Sequence, residues 1–189
     1  MEGITKINPE IDLAVQHLTV GDVIAYPTES VFGLGCDPFN MSAVTTLLQL
    51  KKRSLGKGFI LVASDFSQVE HLTQPINPRA LAQVESTWPG PVTWIFPCTE
   101  EAPQWITGDN NSIALRISNH PVIRDLCNAF NGPIVSTSAN EKGCLPARSR
   151  ATLEMLFGKD IAMTVSGDLG KQLKPTTIRD AITGEVIRA

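Results

Sequence analysis

Between Asp37 and Asp65 the chain has no acidic residue, yet Lys51, Lys52, Arg53 and Lys57 all fall in that interval. Four cations without a carboxylate nearby in sequence leave two readings. One is that they complement the negative end of a preceding helix dipole, which accounts for one or two of them. The other is that they await an anion from outside, such as phosphate. Lys57 is poorly explained by the first, because it sits in Gly56-Lys57-Gly58, where flanking glycines lead a lysine out without steric obstruction.

Ser136-Thr137-Ser138-Ala139-Asn140 offers three hydroxyls and an amide just after a short apolar run. A loop leaving a strand end is the usual ligand position in open α/β sheets. Small polar side chains there can bond phosphate or sugar oxygens, although the same residues also build ordinary Ser/Thr turns. Tyr26-Pro27-Thr28-Glu29-Ser30 follows another apolar run and presents hydroxyls and one carboxylate. Gly33-Leu34-Gly35 is not a dinucleotide fingerprint, since Pro38 stands where the third glycine would be. Gly56-Lys57 and Gly158-Lys159 lack the upstream glycine and following Ser/Thr of a Walker A loop. Arg116 lies between apolar residues of a strand-like run. It is either a solvent-face residue, the slightly favoured reading, or a buried guanidinium awaiting a carboxylate or phosphate. His120 has no nucleophile paired with it, His17 and His71 read as helix-surface residues, and Trp94 reads as core.

These groups need a scaffold, and the composition supplies one. The chain has 189 residues, 42% hydrophobic and 19% charged, which fits one globular domain over residues 1–189. A net charge of -3 argues against a dedicated nucleic-acid binder. Cys36, Cys98, Cys127 and Cys144 show no CxxC or zinc-finger spacing. With no signal-like start and no membrane-length apolar run, a reduced cytoplasmic protein is expected.

Helix-like and strand-like patterns alternate. Helices are expected over 10–19, 41–50 with Asn40 as N-cap, 78–85, 121–130 and 151–157. Strands are expected over 23–26, 59–63, 92–96, 113–117, 133–135 and 161–165, and a hairpin over 177–181 and 185–188. Residues 27–38 read as a loop. The expected fold class is α/β, an open twisted mixed sheet flanked by helices.

Several segments, taken in order, resemble the YrdC/TsaC family of threonylcarbamoyl-AMP synthases. They are Ile24-Ala25-Tyr26-Pro27-Thr28-Glu29, Phe32-Gly33-Leu34-Gly35-Cys36-Asp37, Lys51-Lys52-Arg53 with Lys57, Trp88-Pro89-Gly90-Pro91-Val92-Thr93, Leu115-Arg116-Ile117 with His120-Pro121, and 136–140. The resemblance runs from about residue 10 to the terminal hairpin and matches the short, single-domain form. Ser54 and Lys142-Gly143 depart from it, where proline and serine-glycine are more usual.

The resemblance implies a large, positively charged concave face. It also implies a reaction in which L-threonine, bicarbonate and ATP give L-threonylcarbamoyl-adenylate and pyrophosphate, for t6A modification of tRNA, with Mg2+ as the ion. Lys51, Arg53 and Lys57 would neutralise the phosphates; Ser136, Ser138 and Asn140 would fix the nucleotide; Thr28 and Arg116 would hold threonine. The loop from Ser54 to Gly58 would act as a lid, and other t6A-pathway proteins are expected as transient partners. An alternative is an RNA-binding module that meets tRNA or rRNA with the same basic face. A third reading, a carbamoyl-transfer domain of hydrogenase-maturation type, lacks the accompanying acylphosphatase and zinc-finger segments.

Overall fold

The computed structural model describes residues 8–189. Nine strands form one mixed sheet: β1 (Ile24–Pro27), β2 (Phe32–Gly35), β3 (Ile60–Ala63), β4 (Val92–Pro97), β5 (Ser112–Ile117), β6 (Ile134–Ser138), β7 (Met163–Thr164), β8 (Thr177–Asp180) and β9 (Val186–Arg188). Their order across the sheet is β7-β1-β2-β6-β3-β5-β4-β8-β9. Among the described residues six α-helices accompany them: α1 (Pro9–Val20), α2 (Met41–Leu50), α3 (Pro78–Glu85), α4 (Gln104–Thr107), α5 (Pro121–Phe130) and α6 (Arg150–Phe157).

Local signals set the helix boundaries. Asn8, Asn40, Asn77 and Ser149 each accept a backbone N–H with the side chain at a helix start. Proline occupies the first turn of α1, α3 and α5, where its missing N–H is harmless. Each cap contributes about 1 kcal/mol, so burial of the apolar faces does more. The central strands feed two cores, because alternate residues point to opposite sides. Ile24, Tyr26, Val62 and Ile134 pack with Ile11, Ala14 and Leu18 of α1 and Ile123 and Leu126 of α5. Ala25, Leu34, Leu61, Trp94 and Leu115 pack with Val44 and Leu47 of α2 and Leu153 and Phe157 of α6.

This layering leaves a vacancy on one face. Val62 and Ile134 are fully buried under α1 and α5, whereas Ile60, which packs only at the edge of that core, and Ser136, each two residues away on the same strand faces, also line a cavity. With Ala114 and Ile95 they floor an open hollow.

The sheet also corrects the reading of residues 27–38 as a loop. β2 lies within that span and pairs antiparallel with β1, Ile24 opposite Gly35 and Pro27 opposite Phe32. Glycine there serves close approach rather than looping. A Cβ on Gly35 would stand 2.3 Å from the Val135 carbonyl oxygen and 2.8 Å from the Tyr26 ring. β6 likewise extends through Ser138, beyond the expected 133–135. Gly35→Ala should therefore overpack the β1–β2–β6 contact by about 2 kcal/mol. Thermal unfolding should show Tm lower by roughly 5 °C for a chain of this size; an unchanged Tm would mean the strands separate without strain.

Candidate active site

The hollow encloses about 570 Å³. Seven of the eight residues selected from the sequence line it: Thr28, Arg53, Lys57, Arg116, Ser136, Ser138 and Asn140. Lys51 lines an adjoining hollow of about 130 Å³, which shares Arg53, Lys57, Ser138 and Asn140 with the larger one. Among the described residues, the lining of the larger cavity carries Arg53, Lys57, Arg116 and Arg188 but no carboxylate. The smaller adds Lys51 and Lys142 and also has none.

Each side chain is placed by its element. Lys51 is the C-cap of α2 and is 5% exposed. Its ammonium donates to the backbone oxygens of Ser138 and Asn140, the latter at 2.8 Å, and approaches Asn140 Oδ1 at 3.4 Å. Lys52 has a positive φ of 49° and turns outward to Glu141 at 2.8 Å. The expectation that these four cations lack protein partners is thus corrected: Lys51 staples the loop after β6, and Lys52 forms an exposed ion pair. Arg53 and Lys57 remain directed at the cavity. Arg53 donates to the Gly58 carbonyl at 2.7 Å and lies 5.2 Å over the Phe59 ring, with its Nε buried and unpartnered.

Residues 54–58, expected as a lid, are fastened in this structure. Leu55–Lys57 form a 3-10 turn. Phe59 N–H donates to Ile106 O at 2.8 Å, and Asp109 N–H donates to Gly56 O at 3.2 Å. Gly58 has a φ of 59°, and a Cβ there would meet the Thr107 and Ile106 carbonyls at 2.8 and 2.9 Å.

In the loop after β6, Ser138 donates to Asn140 Oδ1 at 2.6 Å, while Asn140 Nδ2 donates to the carbonyls of Glu141 and Cys144. The segment is thus a self-bonded polar turn, and Ser136, Thr137 and Ser138 line the cavity. Thr28 donates to Val31 O at 2.7 Å and so closes the β1–β2 turn, also at the cavity wall.

Arg116 overturns the favoured solvent-face reading. It is 5% exposed, with Nη2 3.3 Å from Glu29 Oε2 and Nη1 donating to Thr176 Oγ1 at 3.3 Å. Glu29 is itself buried and accepts from Ser118 Oγ at 2.7 Å. Arg116 Nε and Glu29 Oε2 lack hydrogen-bond partners, so the guanidinium is oriented without being saturated. His120 is buried, with Nε2 3.1 Å from the Asp168 carbonyl, and does not line the cavity. Cys36 and Cys127 are free and buried, and burial raises both thiol pKa values, that of Cys127 to about 12, which removes them as nucleophiles.

Arg188, Lys142 and Thr176 also line these cavities and were not selected from the sequence. The terminal hairpin was legible, but nothing local to it shows that Arg188 returns to the site.

A model of the Sua5/YciO/YrdC family, described as telomere recombination, matches residues 16–189. The chain belongs to this family. It is 56% identical over 178 residues to a threonylcarbamoyl-AMP synthase of Coxiella burnetii, covering 94% of this chain and 96% of that protein. The crystal structure of P. abyssi Sua5 complexed with L-threonine superposes with a TM-score of 0.84 at 29% identity, over 90% of this chain and 50% of that one. That of E. coli YciO gives 0.81 at 25% identity, over 95% of this chain and 90% of that one. Among the described residues no helix is long and apolar enough to cross a membrane, and no cluster of three or more His, Cys, Asp or Glu is placed to hold a metal.

Burial, and then the Arg53 charge, lower the Lys51 pKa from the ordinary 10.5 to about 8. A lysine depressed in the folded state takes up a proton on unfolding between these values, so stability should rise with pH from 8 to 10.5. Wild type should accordingly gain Tm relative to Lys51→Met across that window. A difference between the two that stays constant with pH would show that Lys51 titrates normally.

Proposed function

We propose that the chain is a threonylcarbamoyl-AMP synthase, converting L-threonine, bicarbonate and ATP to L-threonylcarbamoyl-adenylate and pyrophosphate for t6A modification of tRNA. The observation that carries this reading is one carboxylate-free cavity with cations at both ends, Arg53 and Lys57 beside the 136–140 turn and Arg116 beside Thr28. Two anionic reactants must meet without repelling one another, and such a hollow accommodates both. The names of its close relatives and the L-threonine complex of a structural neighbour support the same reaction.

Chemically, the threonine amine adds to bicarbonate with loss of water, giving a carbamate. A carbamate oxygen then attacks the α-phosphorus, the new P–O bond forms, and the bond to the departing pyrophosphate breaks. Little covalent work falls to the protein; positioning and charge stabilisation do most of it. Arg53 and Lys57 neutralise the β- and γ-phosphates and the leaving group. Lys51 acts one step back, holding the Ser138 and Asn140 carbonyls so that the loop presents its hydroxyls to the nucleotide. Ser136 and Ser138 bond the nucleotide, and Thr28 and Arg116 hold the amino acid. Carbamates lose carbon dioxide readily in water, so the bound substrates themselves must fill the open hollow and exclude water from this intermediate.

Magnesium fits as an ion carried on the substrate. The lining offers hydroxyl and amide oxygens and no carboxylate, and magnesium commonly keeps several waters while bound through substrate phosphates. Ser138 and Asn140 are the oxygen groups that would hold it, and its contribution would be charge neutralisation.

The test is pyrophosphate release in the presence of threonine, bicarbonate and ATP. Release should require all three, and threonine-independent ATP cleavage would point to a different reaction. Arg53→Ala should lower the rate on the order of a hundredfold, the scale of a lost electrostatic donor, with Arg53→Lys intermediate. A wild-type rate from a folded Arg53→Ala would remove the role given to that residue. Binding of tRNA that falls steeply with salt and ignores ATP would instead support the RNA-binding alternative.

A further inference from the structure

Lys142 stands where serine is more usual in the family, and the fold braces it. Residues 141–144 form a turn in which the Cys144 N–H donates to the Glu141 carbonyl at 3.1 Å. Gly143 has a φ of 84°, the left-handed conformation that a type II turn requires of its third residue. Asn140 Nδ2 grips both ends, donating to the Glu141 carbonyl at 3.0 Å and to the Cys144 carbonyl at 2.8 Å. Lys52 holds the Glu141 carboxylate at 2.8 Å. Lys142, second in the turn, therefore stands on a fixed backbone, and it lines the smaller hollow.

Its place among the other cations is specific. Arg53 and Lys57 line both hollows and so mark their junction. Arg116 lines only the larger hollow, and Lys142 only the smaller. Lys51 also lines the smaller one, but its ammonium is taken up by oxygens of Ser138 and Asn140. Glu141, the carboxylate adjoining Lys142 in sequence, is engaged by Lys52, and Lys142 itself has no ion pair among the described residues. Lys142 is thus an uncompensated cation on the side of the junction away from Arg116.

Resting on the activity proposed above, we propose that Lys142 is a further phosphate-binding residue, standing in place of the usual serine, which holds the terminal phosphate of ATP and the pyrophosphate that departs. The reacting α-phosphorus must lie near the amino acid, between Arg116 and the junction, so the β- and γ-phosphates extend into the smaller hollow. An ammonium there meets the outermost phosphate and not the α-phosphate. Lysine suits the task because it acts as a point charge on a flexible stem and can follow pyrophosphate as it separates. Cleavage adds negative charge to the leaving group, and Lys142 stands on that side of the break.

The test is calorimetric titration of the full chain with Mg2+-ATP, Mg2+-pyrophosphate, AMP and L-threonine, comparing wild type with Lys142→Ser and Lys142→Arg. The serine variant should bind ATP and pyrophosphate roughly five- to tenfold more weakly, near the lower end of a charge-assisted hydrogen bond because the lysine is exposed. AMP and L-threonine, which lack the terminal phosphates, should bind as they do to wild type. The loss should shrink as salt rises, and Lys142→Arg should keep most of the affinity. Collapse of the turn would weaken AMP as well, because Ser138 and Asn140 belong to the same loop. An equal loss for AMP therefore overturns the assignment, as does wild-type affinity for pyrophosphate in Lys142→Ser. Lys142→Gln gives the same reading if the serine form unfolds. A wild type that binds neither ATP nor pyrophosphate overturns the activity itself.

Discussion

The Lys51 ammonium, buried where α2 ends, is the contact on which the site depends. It joins the end of a helix to the backbone of the turn after β6, with Ser138 and Asn140 supplying the acceptors. A buried ammonium is tolerated when its donors are satisfied, and here the loop carbonyls satisfy them. The contact sits where α2 stops, and the next residue, Lys52, leaves the helix in a left-handed conformation. Arg53 and Lys57 then emerge toward the hollow. One interaction therefore joins the two walls of the phosphate end.

The opposite end is arranged by a different economy of charge. Glu29 and Ser118 hold Arg116 in orientation while leaving Arg116 Nε without a partner. A fully saturated guanidinium would bind nothing further, and a lone one would not remain buried. The partial pairing lies between these limits. It suits a group that must be held in place and still receive a ligand.

The sequence was most informative where structure is decided locally. α2, α3 and α5 begin and end at the expected residues, because an asparagine cap or an early proline marks their starts and apolar spacing their faces. The clustering of Lys51, Arg53, Lys57 and 136–140 followed from family resemblance and charge pattern, and these residues do share adjoining cavities. What escaped was decided at a distance. Gly33 and Gly35 look like loop residues until the Tyr26 ring and the Val135 backbone stand beside them. Arg116 looks solvent-facing until Glu29 and Thr176, each about 60 or more residues away, close around it. Lys51 looks like a free cation because backbone acceptors leave no mark on composition.

The position of β6 has a further consequence. It lies between β2 and β3, both of which precede it by about 70 to 100 residues. A nascent chain thus displays two unmatched strand edges for much of its synthesis, and such edges invite pairing with other chains. Until β6 inserts, the two halves of the sheet are not joined and the hollow has no floor between them. Shielding of the growing polypeptide matters most over that interval, and fragments interrupted before residue 134 are the ones expected to aggregate.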